Sequence, residues 1–321
     1  MARPRRAVAT VSTTSAEQAA MRRAIVLSAL GLGTTSPNPP VGCVVLDCDG
    51  RAVGEGYHVR KGDAHAEVQA LQAAGERARG GTAMVTLEPC HHHGRTPPCH
   101  QAIIDSGIRR VLVSVLGPSL RGEGAVARMR NAGLSVVTDV LAREVRLVLE
   151  PWLTALHQQR PFVTWVYAVP ADGLANRMPA AAGAPFREAS VDAHSLRLVH
   201  DVVLSDDGEL SEGCPGGHRP EVFSLARVHP SQEPRELLLS LLAGGARSLL
   251  LDGSLSLASP FLTAGWVDQA VAYIATSGAS SAVPPATATG LVGDFVLQDL
   301  TRLGNVVRIR SGRANERIYR D

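Results

Sequence analysis

Four side chains in the first half of the chain have the chemistry of a metal-assisted hydrolase. The segment D-A-H-A-E supplies His65 and Glu67, and the segment T-L-E-P-C-H-H-H-G-R-T-P-P-C supplies Cys90 and Cys99. Three protein ligands leave a fourth zinc position for water, as in catalytic sites. Zinc lowers the pKa of that water from about 15.7 toward about 7. We therefore predict His65, Cys90 and Cys99 as ligands of a catalytic zinc ion. Glu67 is the predicted proton carrier.

The two motifs together are more specific than either alone, because they also predict suitable local structure. T-L-E-P-C places an apolar strand before Cys90, and T-P-P-C opens a helix at Cys99, where amide dipoles favour thiolates. His65 is expected to open another helix, with Glu67 in its first turn. Zinc-dependent base deaminases have H-x-E followed by P-C and a further Cys. A non-catalytic zinc scaffold is the weaker alternative, since it needs no proton carrier and normally supplies a fourth protein ligand.

The cysteine spacing differs from the C-x-x-C of nucleic-acid and cytidine deaminases. Eight residues separate Cys90 from Cys99. The segment P-C-H-H-H-G-R-T-P-P-C resembles P-C-S-H-x-G-x-T-P-P-C of the bifunctional riboflavin-biosynthesis deaminase/reductase family, with His91 in place of Ser. The resemblance extends to S-P-N-P-P-V-G (36–42) and G-E-G-Y-H (54–58). It implies a cytidine-deaminase-like α/β/α sandwich followed by a dihydrofolate-reductase-like α/β domain.

The pattern of elements agrees with this fold class. Strand patterns alternate with helix patterns between residues 41 and 157, which predicts an α/β layered sandwich. Ser15 is the predicted N-cap of the first helix. We expect a disordered basic tail over residues 1–15, a zinc deaminase domain over 16–158, and a reductase-like domain over 159–321.

The resemblance also implies substrate-binding residues. Asn38 would hydrogen-bond the base or ribose, and His58 and Arg95 would lie near the ribosyl phosphate. From the residues alone, Asn38 could equally be a turn residue between prolines, and Arg95 a solvated loop cation. His91 and His93 are expected to be exposed loop histidines, because zinc already has its ligands.

The implied substrate is 2,5-diamino-6-ribosylamino-4-pyrimidinone 5′-phosphate, but one loop departs from the family pattern. The family has D-P-N-P in a longer loop, whereas residues 117–124 read G-P-S-L-R-G-E-G. Gly117 replaces the Asp and Ser119 the Asn. A diverged paralogue that deaminates another amino-heterocycle or a guanidine is therefore an alternative.

The second half resembles the reductase half of the family in its pattern. The segment 161–168 resembles the first reductase strand, 193–201 the next helix, and 261–274 a later strand pair. The resemblance implies that the protein forms homo-oligomers through this domain.

The reductase chemistry is less well matched than the reductase fold. Val166 stands where the family has Lys, Pro170 replaces Ser, and E-G-G becomes D-G-S at 252–254. The Gly-rich segment that receives the cofactor phosphate becomes S-D-D-G-E-L at 205–210, and added carboxylates there repel phosphate. We expect this domain to lack reductase activity and bound NADPH. A fully bifunctional enzyme is the alternative.

Composition restricts the partners. The 321 residues have a net charge of +2 and only 4% aromatic residues, which disfavours nucleic-acid binding and base stacking. No apolar run approaches the roughly 20 residues needed to span a bilayer. The five cysteines are an odd number without framework spacing, which indicates a reducing, cytoplasmic location. We expect a small-molecule nucleotide as the substrate.

Overall fold

The protein is described by a computed structural model. The structure describes residues 13–91, 97–117, 124–169, 186–226, 228–229, 232–276 and 295–313. The described chain forms two compact units: one contains residues 13–31 and 40–148, and the other contains 32–39 and the residues from 149 onward. Of the tail predicted over residues 1–15, residues 1–12 lie outside the described residues. The domain boundary near residue 158 stays a prediction.

The first unit contains one mixed sheet with helices on both faces. Its elements are α1 (Ser15–Ala29), β1 (Gly42–Leu46), β2 (Ala52–Tyr57), α2 (Ala66–Ala74), a 3₁₀ turn (Gly75–Ala78), β3 (Thr82–Leu87), α3 (Cys99–Asp105), β4 (Arg110–Val115), α4 (Ala125–Asn131), β5 (Ser135–Val137) and the start of α5 (Ala142–Gln158). The strand order is β2-β1-β3-β4-β5. β1 is antiparallel to its neighbours, whereas β3, β4 and β5 run parallel to one another.

The core of this unit has two apolar layers because the central strands are buried on both faces. Alternate strand residues pack against alanines of α2 on one face, and the intervening residues pack against α1 on the other. The first set comprises Val45, Val85 and Val113, and the second comprises Val44, Met84 and Leu112. The α/β/α sandwich predicted from the sequence is confirmed.

The first helix begins with a capping box, one residue earlier than predicted. Thr14 Oγ1 accepts the Glu17 N–H at 3.1 Å, and Glu17 Oε2 accepts the Thr14 N–H at 2.8 Å. The prediction of Ser15 as the N-cap is therefore wrong, because the extended residue whose side chain satisfies the free amides is Thr14. Glu17 also pairs with Arg110 at 2.6 Å, which ties α1 to β4.

The second unit is built on a seven-stranded sheet. Its elements are the end of α5, β6 (Phe162–Val169), α6 (Arg187–Leu198), β7 (Val202–Ser205), β8 (Leu210–Glu212), α7 (Pro234–Ala243), β9 (Ser248–Asp252), α8 (Leu255–Thr263), β10 (Gln269–Ala275), β11 (Phe295–Leu303) and β12 (Val306–Arg313). The order is β11-β12-β10-β6-β9-β7-β8, with β10, β6, β9 and β7 parallel.

Two predictions for this unit were right only in part. The helix expected over 193–201 begins at Arg187 and ends at Leu198. The strand pair expected over 261–274 is the end of α8, a turn and the strand β10. Short apolar runs do not distinguish a buried strand from a buried helix, which explains the second error.

One edge of the second sheet is apolar and exposed. Val296, Leu297 and Leu300 of the edge strand β11 are each more than half exposed. Such an edge can pair with another chain, and the predicted homo-oligomer stays a prediction. Among the described residues, no helix combines the length and apolarity needed to cross a membrane.

Glu150 in α5 should make stability pH-dependent. Burial raises the pKa of Glu150 to about 7, Asp268 raises it further, and Arg310 opposes the rise. An unfolded Glu titrates near 4.3, so the folded state binds the extra proton between these values. The stability that this proton provides is present below the unfolded pKa and is lost as the pH rises through about 7.

We therefore predict that Glu150→Gln raises the melting temperature at pH 8 and leaves it nearly unchanged at pH 4. The gain should be on the order of 1 kcal/mol, because partial solvent exposure reduces the full effect of the pKa shift. This corresponds to about 2–4 °C in calorimetry. Glu144→Gln, at an exposed site of the same helix, is the control. An equal shift at both pH values would contradict the prediction.

Candidate metal centre

His65, Cys90 and Cys99 converge in the first unit as the sequence predicts. Their ligand atoms all lie within 4.8 Å of one another. His65 Nδ1 is 3.2 Å from Cys99 Sγ and 3.8 Å from Cys90 Sγ. A tetrahedral zinc ion with ordinary Zn–N and Zn–S bonds separates N and S ligands by about 3.6 Å. The two observed separations bracket that value, so these side chains fit a single zinc ion.

Three different elements deliver these ligands. His65 is the N-cap of α2, Cys90 follows the end of β3, and Cys99 is the first residue of α3. Helix α2 lies close to β2 because Gly56 has no side chain; a Cβ there would overlap the carbonyl oxygen of Ala66. The position of His65 therefore depends on a glycine in the neighbouring strand.

The start of α3 also stabilises the first cysteine. The Cys99 N–H donates to Cys90 Sγ at 3.3 Å, so the predicted amide contribution to a thiolate is present. Two bonds fix the Cys90 carbonyl: the His100 N–H donates to it at 3.3 Å, and His100 Nδ1 lies 3.1 Å from it. His100 was not predicted from the sequence. Several histidines lie in or next to this loop, and nothing in the sequence distinguishes His100 from the others.

The hydrogen bond between the two cysteine sulfurs shifts their pKa values in opposite directions. The Cys99 thiol donates to Cys90, which lowers the pKa of Cys90 to about 4, with further help from His65. The hydrogen bond to Cys90, together with burial, raises the pKa of Cys99. The hydrogen bond to Cys90 likewise raises the pKa of His65. A divalent cation offsets these effects, because metal binding requires thiolates and a neutral imidazole.

Glu67 lies in the first turn of α2 and is only 3% exposed. Burial raises its pKa, and the neighbouring His65 opposes that rise. Its side chain also hydrogen-bonds Cys99, so it adjoins the ligand cluster. A buried carboxyl group that adjoins the ligand cluster is suited to take up and release a proton there.

His58 lies against the same cluster. Its ring centroid is 5.2 Å from that of His65 in an edge-to-face arrangement. Burial lowers the pKa of His58 to about 4, and His65 lowers it further. At pH 7 the ring is therefore neutral and can exchange hydrogen bonds but adds no positive charge. Its placement near a ribosyl phosphate stays a prediction.

The roles of the other predicted site residues stay predictions. Asn38 lies in the segment 32–39 of the second unit, where its N–H donates to the Thr35 carbonyl at 2.9 Å. Arg95 and His93 lie outside the described residues. His91 is half-buried rather than exposed, and its buried Nδ1 has no hydrogen-bond partner within the described part of the chain.

Comparison with known proteins identifies the family. Residues 14–115 match the family described as the cytidine and deoxycytidylate deaminase zinc-binding region. The riboflavin biosynthesis protein RibD of Mycobacterium tuberculosis is 37% identical over 279 residues, covering 76% of this chain and 80% of that protein. This chain belongs to the RibD family. RibD of Aquifex aeolicus is 45% identical over 187 residues, which cover 57% of this chain but only 52% of the relative.

Solved structures of RibD proteins share the fold of the whole chain. A diaminohydroxyphosphoribosylaminopyrimidine deaminase/5-amino-6-(5-phosphoribosylamino)uracil reductase from Thermotoga maritima has a TM-score of 0.75 at 26% identity. The match covers 93% of this chain and 99% of the Thermotoga maritima chain. Acinetobacter baumannii RibD has a TM-score of 0.74 at 27% identity. The predicted fold, a deaminase domain followed by a second α/β domain, is thus the RibD fold and is confirmed.

We predict that Cys99→Ser abolishes stoichiometric zinc binding. Losing one of three protein ligands should weaken the affinity by more than about 100-fold, since changes outside the ligand set alone cost about 10- to 100-fold. Metal analysis of the purified protein after dialysis against a weak chelator measures this. Cys48→Ser, at an exposed free cysteine, should retain zinc. Equal zinc content in both variants would remove Cys99 from the ligand set.

Proposed function

We propose that this RibD-family protein is a zinc-dependent hydrolase that deaminates an aminopyrimidine ribonucleotide and releases ammonia. The observation that carries the proposal is the buried carboxyl group of Glu67 beside the ligand cluster. The proposed substrate is 2,5-diamino-6-ribosylamino-4-pyrimidinone 5′-phosphate. The Thermotoga maritima protein of the same fold is a diaminohydroxyphosphoribosylaminopyrimidine deaminase, which supports this substrate class.

The proposed chemistry assigns each described residue one task. His65, Cys90 and Cys99 would hold zinc, which when bound supplies Lewis acidity that lowers the pKa of a water molecule. Glu67 takes a proton from the attacking water through a carboxylate oxygen. The water oxygen bonds to the amine-bearing ring carbon, and the carbon–nitrogen bond breaks. Glu67 returns the proton to the departing nitrogen, so that ammonia leaves.

Burial fits Glu67 for this task. At 3% exposure the carboxyl group is shielded from bulk water, so it exchanges protons with the bound reactants rather than with solvent. His58, neutral and next to His65, is proposed as a hydrogen-bonding group of the same site. Asn38 and Arg95 stay proposed substrate contacts on the resemblance alone.

We predict that Glu67→Gln retains zinc and lowers the rate of ammonia release by about 10²- to 10⁴-fold, the usual contribution of general acid–base catalysis. The amide keeps the size of the side chain but cannot carry the proton. Ammonia release and zinc content should be measured on the same preparation. Glu76→Gln, at an exposed position just after α2, is the matched control. Near-normal ammonia release by Glu67→Gln would refute the proton-carrier role.

We also propose that the second unit lacks NADPH-dependent reductase activity. Asp206 supports this, because both of its carboxylate oxygens accept the Ser254 N–H at 2.9 Å and one accepts the Ser254 hydroxyl at 2.8 Å. Ser254 is the N-cap of α8, and a helix N-terminus is where a dinucleotide phosphate usually binds. A cofactor phosphate would have to displace this carboxylate and its negative charge.

Two further contacts agree with this proposal. Arg197, a cation beside the same turn, already pairs with Asp252 at 2.6 Å. Val166, which stands in place of the family's Lys, is an aliphatic side chain buried in β6 and is 1% exposed. Neither position therefore offers a free positive charge to a cofactor or to a substrate phosphate.

A bifunctional deaminase and reductase is the second candidate. The match to the Mycobacterium tuberculosis protein favours it, because that match covers 76% of this chain and so extends beyond the deaminase region. The Thermotoga maritima deaminase/reductase likewise covers 93% of this chain. Overall similarity of this kind reports the fold and does not test individual cofactor contacts.

We predict ammonia release without NADPH oxidation when the zinc-loaded protein receives the diaminopyrimidine ribotide and NADPH together. The absorbance of NADPH and the product mass should show the deaminated, unreduced ribosyl compound. The Thermotoga maritima relative, assayed in parallel, controls for the quality of NADPH and substrate. A product heavier by two hydrogens would overturn the proposed loss and favour the bifunctional candidate.

A further inference from the structure

Glu88 is a buried carboxylate that the chemistry above does not use. It directly follows β3, two residues before Cys90, and is 8% exposed. Glu88 Oε2 accepts the Gly117 N–H at 3.0 Å, and Oε1 accepts the Val126 N–H at 3.0 Å. Each oxygen thus has one backbone donor, and the two donors lie at opposite ends of the connection between β4 and α4.

These bonds take the place of a missing local cap. The N-cap of α4 is Gly124, which has no side chain with which to bind the free amides of the first turn. The carboxylate that caps this helix comes from β3 instead. A negative charge is favourable there because of the helix dipole. One side chain therefore holds both the backbone of Gly117, just after β4, and that of Val126, in the first turn of α4.

The position of this connection relates it to the metal centre. β3 and β4 are parallel neighbours, with Leu87 paired to Val115, and the Glu88 N–H donates to the Val115 carbonyl at 2.8 Å. Both strands therefore leave the sheet at the same edge, one toward Cys90 and the other toward Gly117. In α/β sheets, ligands bind outside the carboxyl ends of parallel strands. A substrate bound at Cys90 therefore lies at the edge where Gly117 begins the next connection.

We propose that Glu88 is a positioning residue: it fixes the backbone of Gly117, just after β4, and of Val126, in the first turn of α4, at the sheet edge that carries the metal centre, and thereby contributes to substrate binding. This inference rests on the proposed deaminase function. Glu88 acts through the backbone of Gly117 and Val126 and does not touch the reacting atoms. Its effect should therefore appear in KM more than in kcat, as for an interaction that is equal in the ground and transition states.

The test replaces Glu88 by Gln in the full-length, zinc-loaded protein. The amide has one acceptor oxygen, so one of the two backbone N–H groups would face an NH₂ donor. We expect KM for the diaminopyrimidine ribotide to rise about ten-fold, because the variant loses a hydrogen bond to a charged group. We expect kcat to change less than about three-fold and zinc content to remain equal to wild type. Amide hydrogen exchange at Gly117 and Val126 should accelerate.

Glu17→Gln is the matched control, since Glu17 is another buried carboxylate that caps a helix of the same unit. It should change stability without changing KM. Glu88→Asp keeps the charge but is shorter by one methylene, so its KM should lie between those of wild type and Glu88→Gln. This variant also keeps the test decisive if Glu88→Gln folds poorly.

The outcomes distinguish a failure of this inference from a failure of the proposed deaminase function. A wild-type protein that binds zinc but releases no ammonia from the ribotide overturns the proposed function and this inference with it. A wild-type protein that turns over, together with an unchanged KM in Glu88→Gln, overturns the inference alone. Loss of zinc, or a fall in kcat without a change in KM, would also overturn it, because Glu88 would then act on the metal centre.

Discussion

Two sulfurs and an imidazole nitrogen within 4.8 Å of one another form the constraint on which the first unit depends. The hydrogen bond between Cys90 and Cys99 lowers the pKa of Cys90 and, together with burial, raises the pKa of Cys99. Gly56 in β2, the start of α3 and the exit of β3 all act to bring these groups together. A divalent cation fits here because metal binding uses both sulfurs as thiolates and the imidazole in its neutral form.

The same physical principle has opposite consequences in the two units. In each, a carboxylate from another element accepts backbone N–H groups at the start of a helix: Glu88 at α4 and Asp206 at α8. Glu88 is buried and connects two ends of one chain segment next to a cation site. Asp206 is exposed and occupies a place where an anion would otherwise bind. The first arrangement is proposed to position a substrate site, and the second is the basis for proposing that the cofactor site is lost.

The sequence predicted the metal centre well because its residues are recognisable by type. His65, Cys90 and Cys99 have few structural roles at such spacing, so a short motif was enough. The alternation of strands and helices in the first unit was also predicted, since its buried central strands are continuous apolar runs. The sequence did not identify Glu88 or His100, because their partners are backbone groups whose positions depend on the completed sheet. The helix over 261–263 was mistaken for a strand for a similar reason: only tertiary packing distinguishes the two.

The family relationship and the contacts of single residues answer different questions. A match that spans most of the chain requires that cores and strand order be kept, and buried aliphatic residues such as Val166 satisfy that requirement fully. Cofactor binding requires instead a few cations and free amides at fixed points, which contribute little to overall similarity. In the proposed loss of reductase activity, Asp206 and Val166 each occupy such a point while leaving the sheet intact. The fold of a domain can therefore be kept whether or not its chemistry is kept, provided that its core packing is undisturbed.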